Sequence, residues 1–301
     1  MRGWIVSLVV AVAGMLVLAG GADAAVSRGA YAGKTVLVTG STDGLGKSVA
    51  LALAGEGAQV IVHGRNAEEG AKLVDEIARS GKGSAVFVRS DFASLQAVRD
   101  FADTIARRYP KLSLLVNNAG VLVPAGQPRR TSADGHELQF QVNYLAGWVL
   151  TNRLRPNLAA AAPSRVVNIS SIAQSPIDFD DIMLEKPGAD RRGYGQSKGA
   201  QVSMTVALAP SFAREGITMI ALHPASMMGT AMVRGMGVAP MTSVDEGRDH
   251  VMSLILAPTL EAGAYYVGGK AVRASNAQPY DAAARERLMK VSAELTGVSA
   301  K

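Results

Sequence analysis

Tyr194 and Lys198, in RRGYGQSKGA (191–200), are a pair whose types and spacing could do chemistry. On a helix, residues four apart share a face, so the ammonium would stand beside the phenol. A phenol titrates at about 10, too high for ready proton exchange at neutral pH. A neighbouring cation favours the phenolate and lowers that value, which suits the pair to general acid–base work. Alone, Y-x-x-x-K reads more simply as a solvated helix face. The chemical reading depends on what else the chain places beside it.

Upstream, TGSTDGLG (39–46) joins an apolar run, KTVLVTG, to a helical pattern. Gly40 would allow a sharp turn, Gly44 would let backbone approach a pyrophosphate, and Gly46 would let helix pack on strand. Ser41, Thr42 and Leu45 complete the loop. The helix N-terminus adds unpaired N–H groups and a dipole favourable to phosphate. Where the next strand ends, an acid would accept from the ribose 2′-OH of NAD, whereas arginine can pair with a 2′-phosphate. The sequence there is HGRN (63–66), with Arg65 and no acid, which favours NADP(H) over NAD(H).

The elements that must position these residues alternate between strand-like and helical runs, the pattern of βαβ units on a parallel sheet. Strands are expected at 34–40, 58–64, 84–91, 112–120, 164–171 and 217–224, with a short one at 264–267. Helices are expected at 44–57, 67–80, 94–109, 135–158, 194–216 and 281–295. The fold class is therefore α/β: one Rossmann-type, doubly wound parallel sheet flanked by helices, over 30–301, with no repeat and no second domain.

Composition narrows the chemistry. The 301 residues, 48% hydrophobic, can bury one sizeable core. There is no cysteine, which excludes thiolate catalysis, disulfides and cysteine metal sites, and four scattered histidines give no metal-site pattern. The net charge of +6 is spread along the chain without a long basic run, so it predicts no nucleic-acid partner.

Residues 1–25 are a separate problem. An early arginine, an apolar run over 4–19 and Ala22-Asp23-Ala24 describe a secretory signal peptide. The run is short for a membrane span, which needs about 20 apolar residues. An uncleaved anchor or a misplaced start are the alternatives. The first two readings make the protein exported or membrane-associated. It would be cytoplasmic if the start is misplaced or the segment only anchors, and NADP(H) being a cytoplasmic currency conflicts with export.

Taken in order, TGSTDGLG, SD (90–91), NNAG (117–120), NISS (168–171) and YGQSK (194–198) resemble the short-chain dehydrogenase/reductase family over roughly residues 33–297. The stretch VNYLAGWVLTNRL (142–154) and the long insertion between the serine and the tyrosine look most like its retinol-dehydrogenase-type branch. The resemblance implies an oxidoreductase working on a carbonyl/alcohol pair. In it, Tyr194 is the general acid/base, and Lys198 lowers the tyrosine's pKa and holds the nicotinamide ribose. Ser171 hydrogen-bonds the substrate carbonyl, and Asn143 supports a water in the proton relay. Asn117 and Gly120 line the cofactor, Asp91 contacts the adenine, and Thr230 grips the nicotinamide carboxamide. The family's usual Pro-Gly is Pro224-Ala225 here, with an extra residue before Thr230.

The segment after the sixth strand is crowded with Met227, Met228, Met232, Met236 and Met241. Methionine adapts to irregular apolar ligands, but local packing would explain these residues equally well. The family also implies a homo-oligomer, formed through helices around 135–158 and 194–213. Two other readings keep the fold without the reaction: a dinucleotide-sensing protein, and an envelope-associated binding protein.

Overall fold

The computed structural model describes residues 29–124, 126–188 and 192–300. Its strands are β1 (Thr35–Val38), β2 (Gln59–Gly64), β3 (Ser84–Arg89), β4 (Leu114–Asn117), β5 (Ser164–Ile169), β6 (Ile217–His223), β7 (Tyr265–Val267) and β8 (Lys270–Val272). They form one sheet in the order β3-β2-β1-β4-β5-β6-β7-β8. Every neighbouring pair from β3 to β7 is parallel, and β8 turns back antiparallel on β7. Chain order reverses between β1 and β4, and in such sheets the crevice beyond the strands' carboxyl ends is where ligands bind.

Helices cover both faces, which is why β1 and β4 read as unbroken apolar runs rather than alternating ones. On one face lie α1 (Gly44–Gly55), α2 (Ala67–Ser80) and α8 (Val244–Leu256), packing Leu53, Ile77 and Ile255 onto the sheet. On the other lie α3 (Leu95–Arg108), α4 (Ala146–Arg153), α6 (Gly193–Ala213) and α9 (Ala282–Thr296). These bury Ile105, Trp148, Phe212 and Leu288. Each such side chain contributes roughly 1.5–3 kcal/mol by leaving water.

The single helix expected over 135–158 is broken. Gly135 is left-handed (φ 83°), and Thr131 pairs with Glu137 as an antiparallel bridge, so the helical chain starts later. It opens with a π-helical segment, Phe140–Leu145, and continues as α4. Pro156, which lacks the N–H a continuous helix would need, starts a separate short α5 (Arg155–Ala159). Among the described elements that lie outside the expectations, two extend the sheet and its cover. One is β8; the other is α8, whose N-cap Ser243 accepts from the Glu246 N–H at 3.0 Å. SVDE is a capping-box sequence and was readable as a helix start.

The faces of the π-helical segment and α4 are covered by the chain itself. Tyr144 hydrogen-bonds Ser292 on α9 at 2.6 Å, and the Trp148 indole donates to the Val298 carbonyl at 2.8 Å. Both aromatic rings are wholly buried. The surface expected to meet a second copy is thus under α9, at least around Tyr144 and Trp148. The expected signal segment, 1–25, lies outside the described residues, and among the described residues no helix is long and apolar enough to cross a membrane.

Candidate active site

The glycine loop between β1 and α1 is built without spare space. Gly40 is left-handed (φ 62°), and a Cβ there would come within 2.8 Å of the Ala119 backbone. A Cβ on Gly46 would lie 2.2 Å from the Gly40 carbonyl and 2.4 Å from the Asn118 amide nitrogen, so only glycine lets α1 sit this close. Gly44, also left-handed, faces the Thr230 methyl. Asp43 caps α1 and takes the Gly44 N–H at 2.7 Å. The next N–H groups, of Leu45 and Gly46, belong to a first turn with no preceding helical carbonyl to receive them. A loop emptied of side chains, at a helix N-terminus and at the switch point, fits a dinucleotide pyrophosphate.

Several hydrogen bonds hold that loop. Ser41 is turned inward, donating to the Val38 carbonyl at 2.8 Å and accepting from the His63 N–H at 3.0 Å, so its side chain holds the loop rather than facing it. Asn118 donates to the Thr39 and Gly40 carbonyls. The Gly40 N–H donates to His63 Nδ1 at 2.9 Å. His63 stacks on Phe92, with centroids 4.0 Å apart. Burial holds its imidazole down to about 4, hence neutral and able to accept that bond. Sequence reading missed both His63 and Asn118, because their partners lie on other strands. Thr42 packs against Gly64, whose missing Cβ leaves it room.

At the carboxyl ends of β5 and β6 the predicted polar residues converge. Tyr194 and Lys198 stand one turn apart on α6, the ammonium 5.6 Å from the tyrosine ring centroid. Ser171, just beyond β5, lies beside the Tyr194 phenol, and its oxygen accepts from the Ala173 N–H at 3.1 Å. Burial raises the phenol above its ordinary value, and the Ser171 hydroxyl works the other way. Lys198 is buried and donates to the Ile169 carbonyl at 2.7 Å and to Gln201 Oε1 at 3.1 Å. Burial alone brings it down to about 7. Thus the expected lowering of the tyrosine by the lysine is not the dominant effect here: desolvation acts on both groups, and against the charged form of each.

Asn143 sits in the π-helical segment. Its amide donates to the Val121 carbonyl and to Ser197 Oγ, both at 3.0 Å, and accepts from the Val121 N–H at 2.7 Å. It ties the chain after β4 to α6, and a Cβ on Gly120 would lie 3.4 Å from its oxygen. Asn117 faces away from the crevice: its amide donates to Thr151 and Asn168, buried between β4, α4 and β5. Its side chain ties the carboxyl end of β4 to α4 and β5, while Gly120 is part-buried. Asp91 is exposed and spends one oxygen on the Ala93 N–H at 3.0 Å, an Asx turn after β3. Thr230 caps the short α7 (Ala231–Arg234) through the Val233 N–H. Arg65 is exposed beyond β2, and its carbonyl accepts from Arg89 Nε at 3.0 Å, which brings a second arginine to that corner.

This order of elements and side chains has a counterpart among known proteins. The family model described as short chain dehydrogenase matches residues 34–238. The chain belongs to the short-chain dehydrogenase family. Retinol dehydrogenase 13 of Mus musculus is 40% identical over 202 residues, which are 66% of this chain and 60% of that protein. The chain thus resembles the retinol-dehydrogenase-like branch, and the match spans three fifths of that relative. Two solved structures share the fold at 23% identity. A metagenomic short-chain oxidoreductase in complex with NADP has a TM-score of 0.62, covering 79% of this chain and 97% of its own. A 7α-hydroxysteroid dehydrogenase complexed with NADH and 7-oxo glycochenodeoxycholic acid has a TM-score of 0.64, covering 80% and 95%. Short-chain dehydrogenases are oxidoreductases that bind a nicotinamide dinucleotide, and the neighbours include both forms of it.

In this short-chain dehydrogenase, Tyr194 lines a cleft of about 170 Å³ together with Leu122, Val123, Gln139 and Met236. The methionines divide. Met236 lines the cleft, Met228 packs against α8 at Gly247, and Met227 and Met241 are exposed. Met227 is left-handed (φ 47°), two residues after the Pro224-Ala225 departure from the family pattern. An exposed loop follows it, fastened where the Met241 N–H donates to the Met227 carbonyl at 2.9 Å.

Proposed function

We propose that this protein is an NADP(H)-dependent oxidoreductase acting on a carbonyl/alcohol pair at an apolar substrate. The observation that carries the reading is that Ser171 and the Lys198 ammonium both lie beside Tyr194, and that Tyr194 lines a cleft with Leu122, Val123 and Met236. When bound, the dinucleotide supplies or accepts the hydride. The protein's own groups handle the oxygen. Ser171 orients and polarises the substrate carbonyl as a preorganised donor. Tyr194, raised by burial, carries its proton at neutral pH and donates it to the oxygen in reduction, or accepts one in oxidation. Lys198 fixes the far side of the site through Ile169 and Gln201 and offers its ammonium to the cofactor ribose. Asn143 holds the chain after β4 in register with α6, and its position suits a water-mediated proton path.

Arg65 supports the preference for NADP(H), with Arg89 beside it; Asp91 and Thr230 would border the adenine and nicotinamide ends. Ser41, Thr42, Leu45 and the three loop glycines would shape the pyrophosphate site. A homo-oligomer is part of the proposal only through faces that α9 leaves free, which sedimentation would test. The N-terminal segment would either be removed on export or hold the enzyme at a membrane.

The test is a fluorescence titration with NADPH and NADH side by side, followed by a carbonyl screen. NADPH should bind more tightly, and Arg65→Ala should lower that affinity by roughly tenfold, the worth of one charge-assisted contact, while leaving NADH binding alone. Tyr194→Phe should keep NADPH binding and lose at least about a hundredfold in turnover. Binding of neither nucleotide to the folded protein would sink the reading and favour an envelope binding protein. Unchanged biological activity in Tyr194→Phe would favour the dinucleotide sensor.

A further inference from the structure

The cleft beside Tyr194 is unevenly charged. Its wall is apolar at Leu122, Val123 and Pro124, and its rim carries Arg129 and Arg130. The acid among its described lining residues is Glu137, and that carboxylate is already committed. It is buried, accepting from the Phe140 N–H at 2.6 Å and from the Gln139 amide at 3.2 Å. Gln139 is committed too, its oxygen accepting from the Val123 N–H at 3.0 Å. Arg129 is held in place by its bond to the Met183 carbonyl at 2.7 Å. Its carboxylate neighbour, Glu185, is 3.7 Å away and 71% exposed, a pair that water largely screens. Arg130 is fixed through its backbone, its carbonyl accepting from the Leu138 N–H at 2.9 Å beside the Thr131–Glu137 bridge. Its side chain is exposed and makes no ion pair among the described residues.

We propose that this rim is an anion subsite, and that the substrate carries a carboxylate in addition to its reacting carbonyl or alcohol. The inference rests on the oxidoreductase reading and names its substrate class: an apolar oxo- or hydroxy-acid. The reacting carbon faces Tyr194, the hydrocarbon lies along Leu122–Pro124, and the carboxylate meets the guanidinium groups. Guanidinium presents a planar fork that matches a carboxylate, and such charge-assisted bonds are stronger than neutral ones. The cleft volume is below the roughly 300 Å³ of a pocket that encloses a drug-sized ligand. That is consistent with the reacting end being enclosed while the acid end stays at the rim.

The experiment compares medium-chain oxo-acids with their methyl esters, using the full chain and NADPH. The acid should have a kcat/KM roughly tenfold or more above its ester, from one charge-assisted contact. Arg130→Gln should lower the acid-to-ester ratio by a similar factor, and Arg130→Lys should restore part of it. A second readout needs no turnover: a saturated fatty acid, compared with its amide, should raise the melting temperature of the NADPH-loaded wild type but not of Arg130→Gln. Equal use of acid and ester, or an acid preference that survives in Arg130→Gln, overturns the subsite. If NADPH binds and no carbonyl of either kind reacts, the oxidoreductase reading fails. The fatty-acid shift then decides the subsite by itself, supporting it if lost in Arg130→Gln and overturning it if absent in the wild type.

Discussion

The two sides of the crevice are built under opposite constraints. On the cofactor side, the glycine loop has no room for a side chain at Gly40 or Gly46, and it is locked by His63, Asn118 and Ser41. On the substrate side, the chain from Met227 to Met241 is largely exposed and held mainly by Met241 on Met227 and Thr242 on Ser226 and Gly229. The first side must fit an invariant pyrophosphate with backbone, so it tolerates almost no atom added. The second must admit a substrate, so it keeps weakly held apolar side chains on a loop.

The sharpest way to break that comparison is the same substitution on both sides. Gly46→Ala places a methyl 2.2 Å from the Gly40 carbonyl, so α1 or the loop must move. It should destabilise the fold by about 1–3 kcal/mol, the usual cost of overpacking, and abolish NADPH binding. At Gly229 the nearest atom to an added Cβ, on Pro240, is 3.8 Å away, and Gly229→Ala should change neither property appreciably. Denaturation curves and nucleotide titrations on the two variants decide the matter. Equal effects would remove the contrast.

A pH series tests the cofactor side by a second route. His63 is held to about 4 in the folded protein, against an ordinary value of 6.5. Because the unfolded chain takes up its proton first, stability should fall as pH drops from 6.5 toward 4. His63→Asn retains an acceptor for the Gly40 N–H without that titration, and should show a flatter stability profile over the same window. A slope unchanged by the substitution would assign the acid sensitivity elsewhere. The smallest effect is expected at Met241, which is 75% exposed. Met241→Ser should alter stability by less than about 0.5 kcal/mol, as surface changes usually do. It should act, if anywhere, on KM for long apolar carbonyls, which steady-state kinetics would show.

The same contrast explains what was legible in the sequence. Gly40, Gly44 and Gly46 could be read because phosphate approach and helix packing impose local rules. That Tyr194 and Lys198 stand together could be read from helical spacing, while a chemical role for them rested on the motifs around them and the family resemblance. His63 was hidden inside an apolar strand, and its role appears only when β1 and β2 pair and bring Gly40 to its ring. Asn117 sat in the right motif, but at the end of a four-residue strand the choice between crevice and interior is set by Thr151 and Asn168, distant in sequence. The break near 135–140 had a visible cause in Gly135. Nothing in FQVNYL announces a wider turn.

That wider turn has a consequence for comparing this chain with others. A π turn is, in effect, a helix with one residue too many. Removing any single residue from 140–145 would let the segment relax to ordinary helix, but each residue of an α-helix accounts for about 100° of rotation. The bulge takes up that rotation, so the chain on either side keeps its faces, with Asn143 on Val121 and Ser197 and Trp148 beneath the carboxyl-terminal tail. An alignment that closes a one-residue gap here to gain identity would therefore join residues that look in different directions.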